Sequence, residues 1–190
     1  MDSGHPHAFI AGTPALDFVD TYGSRAGAGR ERLPDPAALA AWLTEAGLWA
    51  ANAPGTVSPA QLLAAHSLRE AIHRCALSAI VGTPYAGDDL AQLNEAAQHP
   101  PPRPCFRDNQ LVHLSASPVE AALSSLAEDA LVLLASPRRA RIRQCPGCAM
   151  VFEDTSRPGS RQWCSSSKGC GNRAKVRAHR ARRTQDTTAG

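Results

Sequence analysis

The chain has 190 residues, 43% of them hydrophobic but only 5% aromatic, and a formal charge of +3. Ala and Leu carry the apolar share, so a packed, helix-rich core is expected. No apolar run reaches the roughly 18 residues of a membrane span. The opening MDSGHPHAFIAG has neither the basic start nor the apolar stretch of a secretory leader, which reads as a cytoplasmic protein with reduced thiols.

The small net charge conceals an asymmetry. Residues 1–137 hold 7 Arg and no Lys against 14 Asp and Glu, a net −7. Residues 138–183 hold 13 basic residues against Glu153 and Asp154, a net +11. Such a block is the footprint of a polyanion binder, or of a surface that docks on an acidic partner, the body of the same chain included.

Taken in order, residues 1–8 read as a disordered tail, in which His5 and His7 are a weak metal signal. Residues 9–137 read as a mainly helical domain. Thr13 and Pro14 open a short helix through Tyr22, with Leu16 and Val19 inward and Asp17 and Asp20 outward. The segment 23–32 reads as a flexible Gly-rich loop, whose Arg25, Arg30 and Arg32 could hold an anion. It lacks the Gly-Lys-Ser/Thr of a phosphate loop. Asp35 and Pro36 start a helix that Gly47 ends. Ala50 to Val57 is a loop. Ser58 and Pro59 open the longest helix, to about Val81, with an apolar stripe that includes Leu62, Leu63, Leu68, Ile72, Ala76 and Ile80. His66, Glu70 and His73 on this helix read as surface pairing rather than a metal site. Asp88 is read as the cap of a helix over 89–98, which His99–Pro104 stops as an extended linker. A short β-hairpin over 105–114 turns at Asp108-Asn109 and is expected to lie on the helices. Ser117 and Pro118 open a third strong helix, 119–135, with Ser117 and Glu120 at capping-box spacing. Its core stripe is Leu123, Leu126, Ala130, Leu133 and Leu134. No nucleophile–base arrangement or catalytic motif stands out, and no catalytic residue is assigned.

Arg138, Arg139, Arg141 and Arg143 lead directly into Cys145, Cys148, Cys164 and Cys170. The pattern C-x2-C, fifteen residues, C-x5-C is how a chain surrounds one tetrahedral metal ion. Disulfides, a redox pair at Cys145 and Cys148, and unrelated buried thiols are the other readings. Zinc is favoured because there is no leader, no thioredoxin-like strand–helix pattern, and little apolar material to stabilise so small a module otherwise. Four thiolates leave no open position, so the ion would be structural and not catalytic. Beyond Gly171 and Asn172 comes a breaker-free basic helix, RAKVRAHRARR, with Val176 beside its alanines or facing the finger. Residues 184–190 read as a disordered tail.

The runs Asp154-Thr-Ser-Arg157, Ser160-Arg-Gln-Trp-Cys164 and Cys170-Gly-Asn-Arg-Ala-Lys-Val-Arg177 closely resemble the CGNR zinc finger of a family of bacterial proteins described as putative stress-induced transcription regulators. The run Ala15-Leu-Asp-Phe-Val-Asp-Thr21 resembles the opening motif of the ABATE domain, with Asp20 where that motif usually has Asn. The resemblance spans residues 8–183. Two spacings depart from the family: five residues separate the third and fourth cysteines where four are expected, and the first pair is often wider. The resemblance implies a helical N-terminal domain that senses or regulates, joined to a DNA-binding finger.

The expected architecture is therefore mainly α: a helical N-terminal domain with a short β-hairpin, then a treble-clef-like or related zinc finger at 138–183 with a basic helix. The functional expectation is a Zn2+-dependent DNA-binding transcription regulator. Arg157, Arg161, Arg173, Lys175, Arg177, Arg180, Arg182 and Arg183 are its candidate nucleic-acid contacts. A homodimer and an unidentified small-molecule effector are candidate partners, and no membrane is involved. The alternative is a zinc-stabilised RNA-binding or protein-interaction module without sequence-specific DNA binding.

Overall fold

The structure, a computed structural model, describes residues 9–49, 55–107, 109–165 and 169–188. The reading of residues 1–8 and part of the 50–57 loop lie outside these. Helices α1 (Pro14–Val19), α2 (Pro36–Glu45), α3 (Pro59–Val81), α4 (Gly87–Ala96) and α5 (Pro118–Ala135) form the body. The basic helix α6 (Cys170–Thr188) follows the finger. Three two-stranded antiparallel sheets punctuate them: β1 (Tyr22–Gly23) with β2 (Arg30–Glu31), β3 (Arg103–Arg107) with β4 (Gln110–Leu114), and β5 (Ile142–Gln144) with β6 (Val151–Glu153). No helix among the described residues is long and apolar enough to cross a membrane.

Capping chemistry sets most helix starts. The Thr13, Asp35 and Ser58 side chains each accept a backbone N–H in the first turn, and each precedes a proline at the first helical position. Ser58 and Gln61 complete a reciprocal capping box. Asp129 of α5 also accepts the Ala15 N–H at 2.9 Å, so the first helix is capped from two directions. Helix α3 is the central column, packed against α1, α2, α4 and α5. Leu16, Phe18, Trp42, Leu68, Ile72, Leu126 and Leu133 are all within 2% of complete burial. Each such side chain contributes roughly 1.5–3 kcal/mol relative to its exposed state.

Several local expectations are corrected. Leu63 is 66% exposed and Ile80 37%, because the core stripe of α3 narrows to Leu62, Ala65, Leu68, Ile72 and Ala76. Ser117 makes no side-chain cap, and Glu120 instead accepts from Gln61 at 2.7 Å. Helix α4 starts two residues early at Gly87, with no side-chain cap, and Asp89 turns into the body to pair with Arg74 at 2.6 Å. The β3–β4 hairpin forms in the expected register but does not lie on the helices: Phe106 is 71% exposed and Leu111 64%. Register and alternation put the exposed Phe106 and Leu111 on one face, and Arg103, Arg107, Val112 and Leu114 on the other. Helix α6 runs on to Thr188, so most of the tail expected to be loose from residue 184 is helical.

The Gly-rich segment is not a free loop. It makes the β1–β2 hairpin, and two of its arginines bind anions of the protein itself. Arg32 donates to Asp20 at 2.9 Å and Arg25 makes a two-pronged bond to Glu70 at 2.8 and 2.9 Å. Arg69, 3% exposed, makes a second two-pronged bond to Glu31 at 2.8 and 2.7 Å, and also reaches Glu70 and Thr21. Both guanidiniums face the Tyr22 ring, at 4.7 and 5.4 Å from its centroid. Burial opposes ionisation of Glu70, but the two arginines win and hold it down at about 2. His66 contacts the Leu33 carbonyl, and His73 lies half-buried beside this network, so neither joins Glu70 in a metal site.

Replacing Arg69 with Met should destabilise the chain by about 3 kcal/mol, because it strands the Glu31 carboxylate inside the fold; chemical denaturation checks this, and a loss well under 1 kcal/mol would refute it. A second prediction concerns His73. Burial, aided by the neighbouring Arg25, holds its imidazole down at about 4 from an ordinary 6.5. Its Nε2 has no hydrogen-bond partner among the described residues. The unfolded chain then binds the extra proton, so stability falls as pH drops from 6.5 towards 4. Asp17, half-buried rather than facing outward, is raised to about 6 mainly by burial and acts in the opposite sense, losing stability as pH rises through that value. His73→Gln removes only the histidine contribution, so the melting temperature should drop less between pH 7 and pH 5 than in the unmodified chain.

Candidate metal centre

The finger begins where α5 ends. A 3-10 turn over Pro137–Arg141 feeds β5, and β5 pairs with β6 from Ile142↔Glu153 to Gln144↔Val151. Cys145 closes the ladder, its N–H bonding the Met150 carbonyl at 2.8 Å, and the chain turns through Pro146, Gly147 and Cys148. Ala149 takes a positive φ of 60° to finish the turn. Gly147 is required by space: a Cβ there would stand 3.0 Å from the Cys170 Cβ and 3.1 Å from its Sγ. The turn therefore brings the first cysteine pair against the first residue of α6.

Cys145, Cys148, Cys164 and Cys170 converge, with all four Sγ atoms within 4.8 Å of one another. A tetrahedron of Zn–S bonds near 2.3 Å has sulfur–sulfur edges of about 3.8 Å. The Cys148–Cys164 separation is 3.6 Å, far beyond a disulfide bond, and every cysteine is a free thiol. Cys145, Cys164 and Cys170 are buried and Cys148 is half-buried. This donor set fits a closed, four-sulfur site that could coordinate one structural Zn2+. Burial pushes the Cys164 thiol up, with the neighbouring Cys148 and Cys145 sulfurs adding to it, and burial likewise raises Cys148 to about 11. Burial also opposes ionisation of Cys145, but N–H groups of Cys164 and Gly147 outweigh it and bring that thiol to about 7. A divalent cation would favour four thiolates at once where bare sulfurs repel.

Asp154 organises the loop between the cysteine pairs. It is fully buried; one oxygen accepts from the Ser156 N–H and hydroxyl at 2.9 and 2.5 Å, the other from the Arg161 N–H at 2.8 Å. Burial opposes its ionisation, but these bonds hold it below the ordinary carboxylate range. Trp163 packs half-buried on the core, in keeping with a structural role. Most of the five-residue stretch between the third and fourth cysteines, residues 166–168, lies outside the described residues.

The candidate nucleic-acid residues separate into two groups. Arg161 turns inward: it donates to the carbonyls of Trp163 and Cys164, and its guanidinium lies 4.6 Å from the Phe152 ring centroid. Arg173 reaches back to the Cys170 Sγ at 2.8 Å. Arg157 is exposed in the inter-pair loop, and Lys175, Arg177 and Arg180 are exposed along α6. Val176 is 41% exposed rather than packed on the finger. Arg182 and Arg183 lie further along the same helix.

Sequence reasoning missed how the finger joins the body. Glu153, 3% exposed, receives both prongs of Arg138 at 2.9 and 2.6 Å, and its N–H bonds the Ala11 carbonyl at 2.7 Å. Gly12 permits that approach, since a Cβ there would meet Glu153 at 3.1 Å and φ is +99°. The adjacent Glu153-Asp154 pair, the finger's only acidic residues, was the available signal.

A helical body closed by a four-cysteine finger that continues into a basic helix fits a class of regulatory protein whose small module one metal ion could stabilise. The comparisons give the particular family. The ABATE model, described as "Putative stress-induced transcription regulator", matches residues 12–137, and the CGNR zinc finger matches residues 141–183; the chain belongs to the ABATE family. Among curated proteins it has no match.

The purified chain should carry one zinc per molecule. Chelation should lower its thermal midpoint as a whole, because the finger strands share a core with α1 and α3. Cys170→Ser should lose the metal and show the same lowered midpoint without chelator. A chelator-insensitive midpoint with full zinc removal would refute the shared stabilisation.

Proposed function

We propose that this chain is a zinc-dependent DNA-binding transcription regulator. The observation that carries the reading is the exposure of every residue from Lys175 to Arg180 on a helix whose first residue is a candidate zinc ligand. Mutual repulsion along such a helix is relieved by phosphate, and the metal site would fix its direction. Lys175, Arg177 and Arg180, with Arg182 and Arg183 beyond them, are the proposed duplex contacts, and Arg157 flanks them. Arg161 and Arg173, engaged within the finger, have a supporting role in this reading. One helix offers a small footprint, so a second copy of the chain would supply useful specificity. The helical body would respond to an effector, and a reducing cytoplasm would keep the thiols available for zinc.

The basic stretch lacks the interleaved aromatics that stack single-stranded bases, which favours duplex DNA over RNA. Lys175→Gln with Arg177→Gln should leave zinc content unchanged and reduce the slope of log affinity against log salt by about two. A salt titration on mixed-sequence duplex DNA measures this. An unchanged slope would remove these side chains from the interface, and preference for duplex RNA in competition would replace the DNA reading.

A further inference from the structure

We infer that Arg173, the arginine of the Cys-Gly-Asn-Arg run, is a positioning residue for the metal centre: its guanidinium donates to the Cys170 sulfur and fixes that sulfur's place in the four-cysteine cluster, and it is not a phosphate contact. The inference rests on the reading of the four cysteines as a zinc site, and goes beyond it by giving one of the basic residues a different task from its neighbours.

The geometry starts from helix spacing. Cys170 and Arg173 are three apart at the start of α6, so their side chains share a face. The Arg173 N–H bonds the Gly169 carbonyl at 3.2 Å, which fixes the first turn, and its Nη2 lies 2.8 Å from the Cys170 Sγ. Four thiolates around one Zn2+ carry a net charge of about −2, and sulfurs in a buried shell need donors. Cys145 takes backbone N–H groups from Gly147 and Cys164, and Cys148 takes one from Met150. Cys170 receives a full cation, through a charge-assisted bond. The opposite side is closed by Gly147, whose missing Cβ lets Cys170 sit against the Cys145–Cys148 turn. The Cys170 sulfur is thus gripped between a turn that admits no side chain and a guanidinium that offers positive charge. Lysine could supply the charge but not the planar fork.

The test measures metal retention without nucleic acid. Zinc-loaded full-length chain, with Arg173→Gln, Arg173→Lys and the exposed control Arg139→Gln, is titrated with a chromophoric chelator. Arg173→Gln should release zinc with about tenfold or greater loss of affinity, Arg173→Lys should fall between, and Arg139→Gln should match the unmodified chain. With Co2+ in place of zinc, the sulfur-to-metal charge-transfer band should shift in Arg173→Gln and stay fixed in Arg139→Gln. Equal retention and an unmoved band in all variants would overturn the inference. Unmoved retention with a salt slope reduced by about one in Arg173→Gln would overturn it in favour of a phosphate contact. An unmodified chain that takes up no metal would overturn the zinc reading itself, an outcome distinct from both.

Discussion

Strand β6 and the residue after it serve two structures at once. Val151, Phe152, Glu153 and Asp154 are all buried, though only two of them are apolar. Val151 and Phe152 enter the same core cluster as Leu16, Leu68 and Ile72. Glu153 is neutralised by Arg138 and tied through its backbone to Ala11, while Asp154 gathers the loop that leads to Cys164. A finger of this size has too little apolar area for a core of its own. Here it borrows one, and the finger's β5–β6 hairpin packs against α1 and α3 of the helical body.

Placing charge inside such a joint requires a partner for each group, and the distribution of arginines follows from that need. In the body Arg25, Arg32, Arg69 and Arg74 answer Glu70, Asp20, Glu31 and Asp89. In the finger Arg138 answers Glu153, Arg141 donates to the carbonyls of Asp154 and Ser156, and Arg161 and Arg173 turn toward the cysteine shell. The basic excess of residues 138–183 is therefore not one uniform field. Some members are engaged within the finger, the exposed Arg138 and Arg173 included, and others extend along α6 beyond the first turn.

Much of this was legible in the sequence because it depends on local chemistry. Cap and proline pairs marked the starts of α1, α2 and α3, and periodic leucines marked the buried face of α5. The cysteine spacing marked the metal centre before any coordinates, because ligand convergence on one ion leaves few arrangements of two short pairs. What could not be read was long-range. Arg25 and Glu70 are 45 positions apart, and Arg69 and Glu31 are 38 apart, so the network looked like a mobile loop beside an ordinary helix surface. Arg173 and Arg177 look alike as letters in a basic run; only the turn that presents Cys170 separates them. The β3–β4 hairpin was found but misplaced, because alternation gives strand and register without saying whether any helix has room for the face.

The shared strand also constrains how the body could influence the finger. Tyr22 and Arg25 line one narrow crevice with Cys148, Met150 and Val151, so the buried network of α3 lies directly behind the cysteine turn. Arg25 is the link, since its guanidinium is committed to Glu70 and stacked over Tyr22. A ligand that shifted α3 against α1 would disturb the Val19–Arg25 side of this crevice, because Glu70 of α3 holds Arg25 there. The coupling would run in both directions: whatever binding at the body does to metal retention, metal occupancy must do to binding at the body. A long flexible linker would have insulated the two parts. The five-residue turn Pro137–Arg141 and the buried Glu153 instead tie the two parts directly to one another.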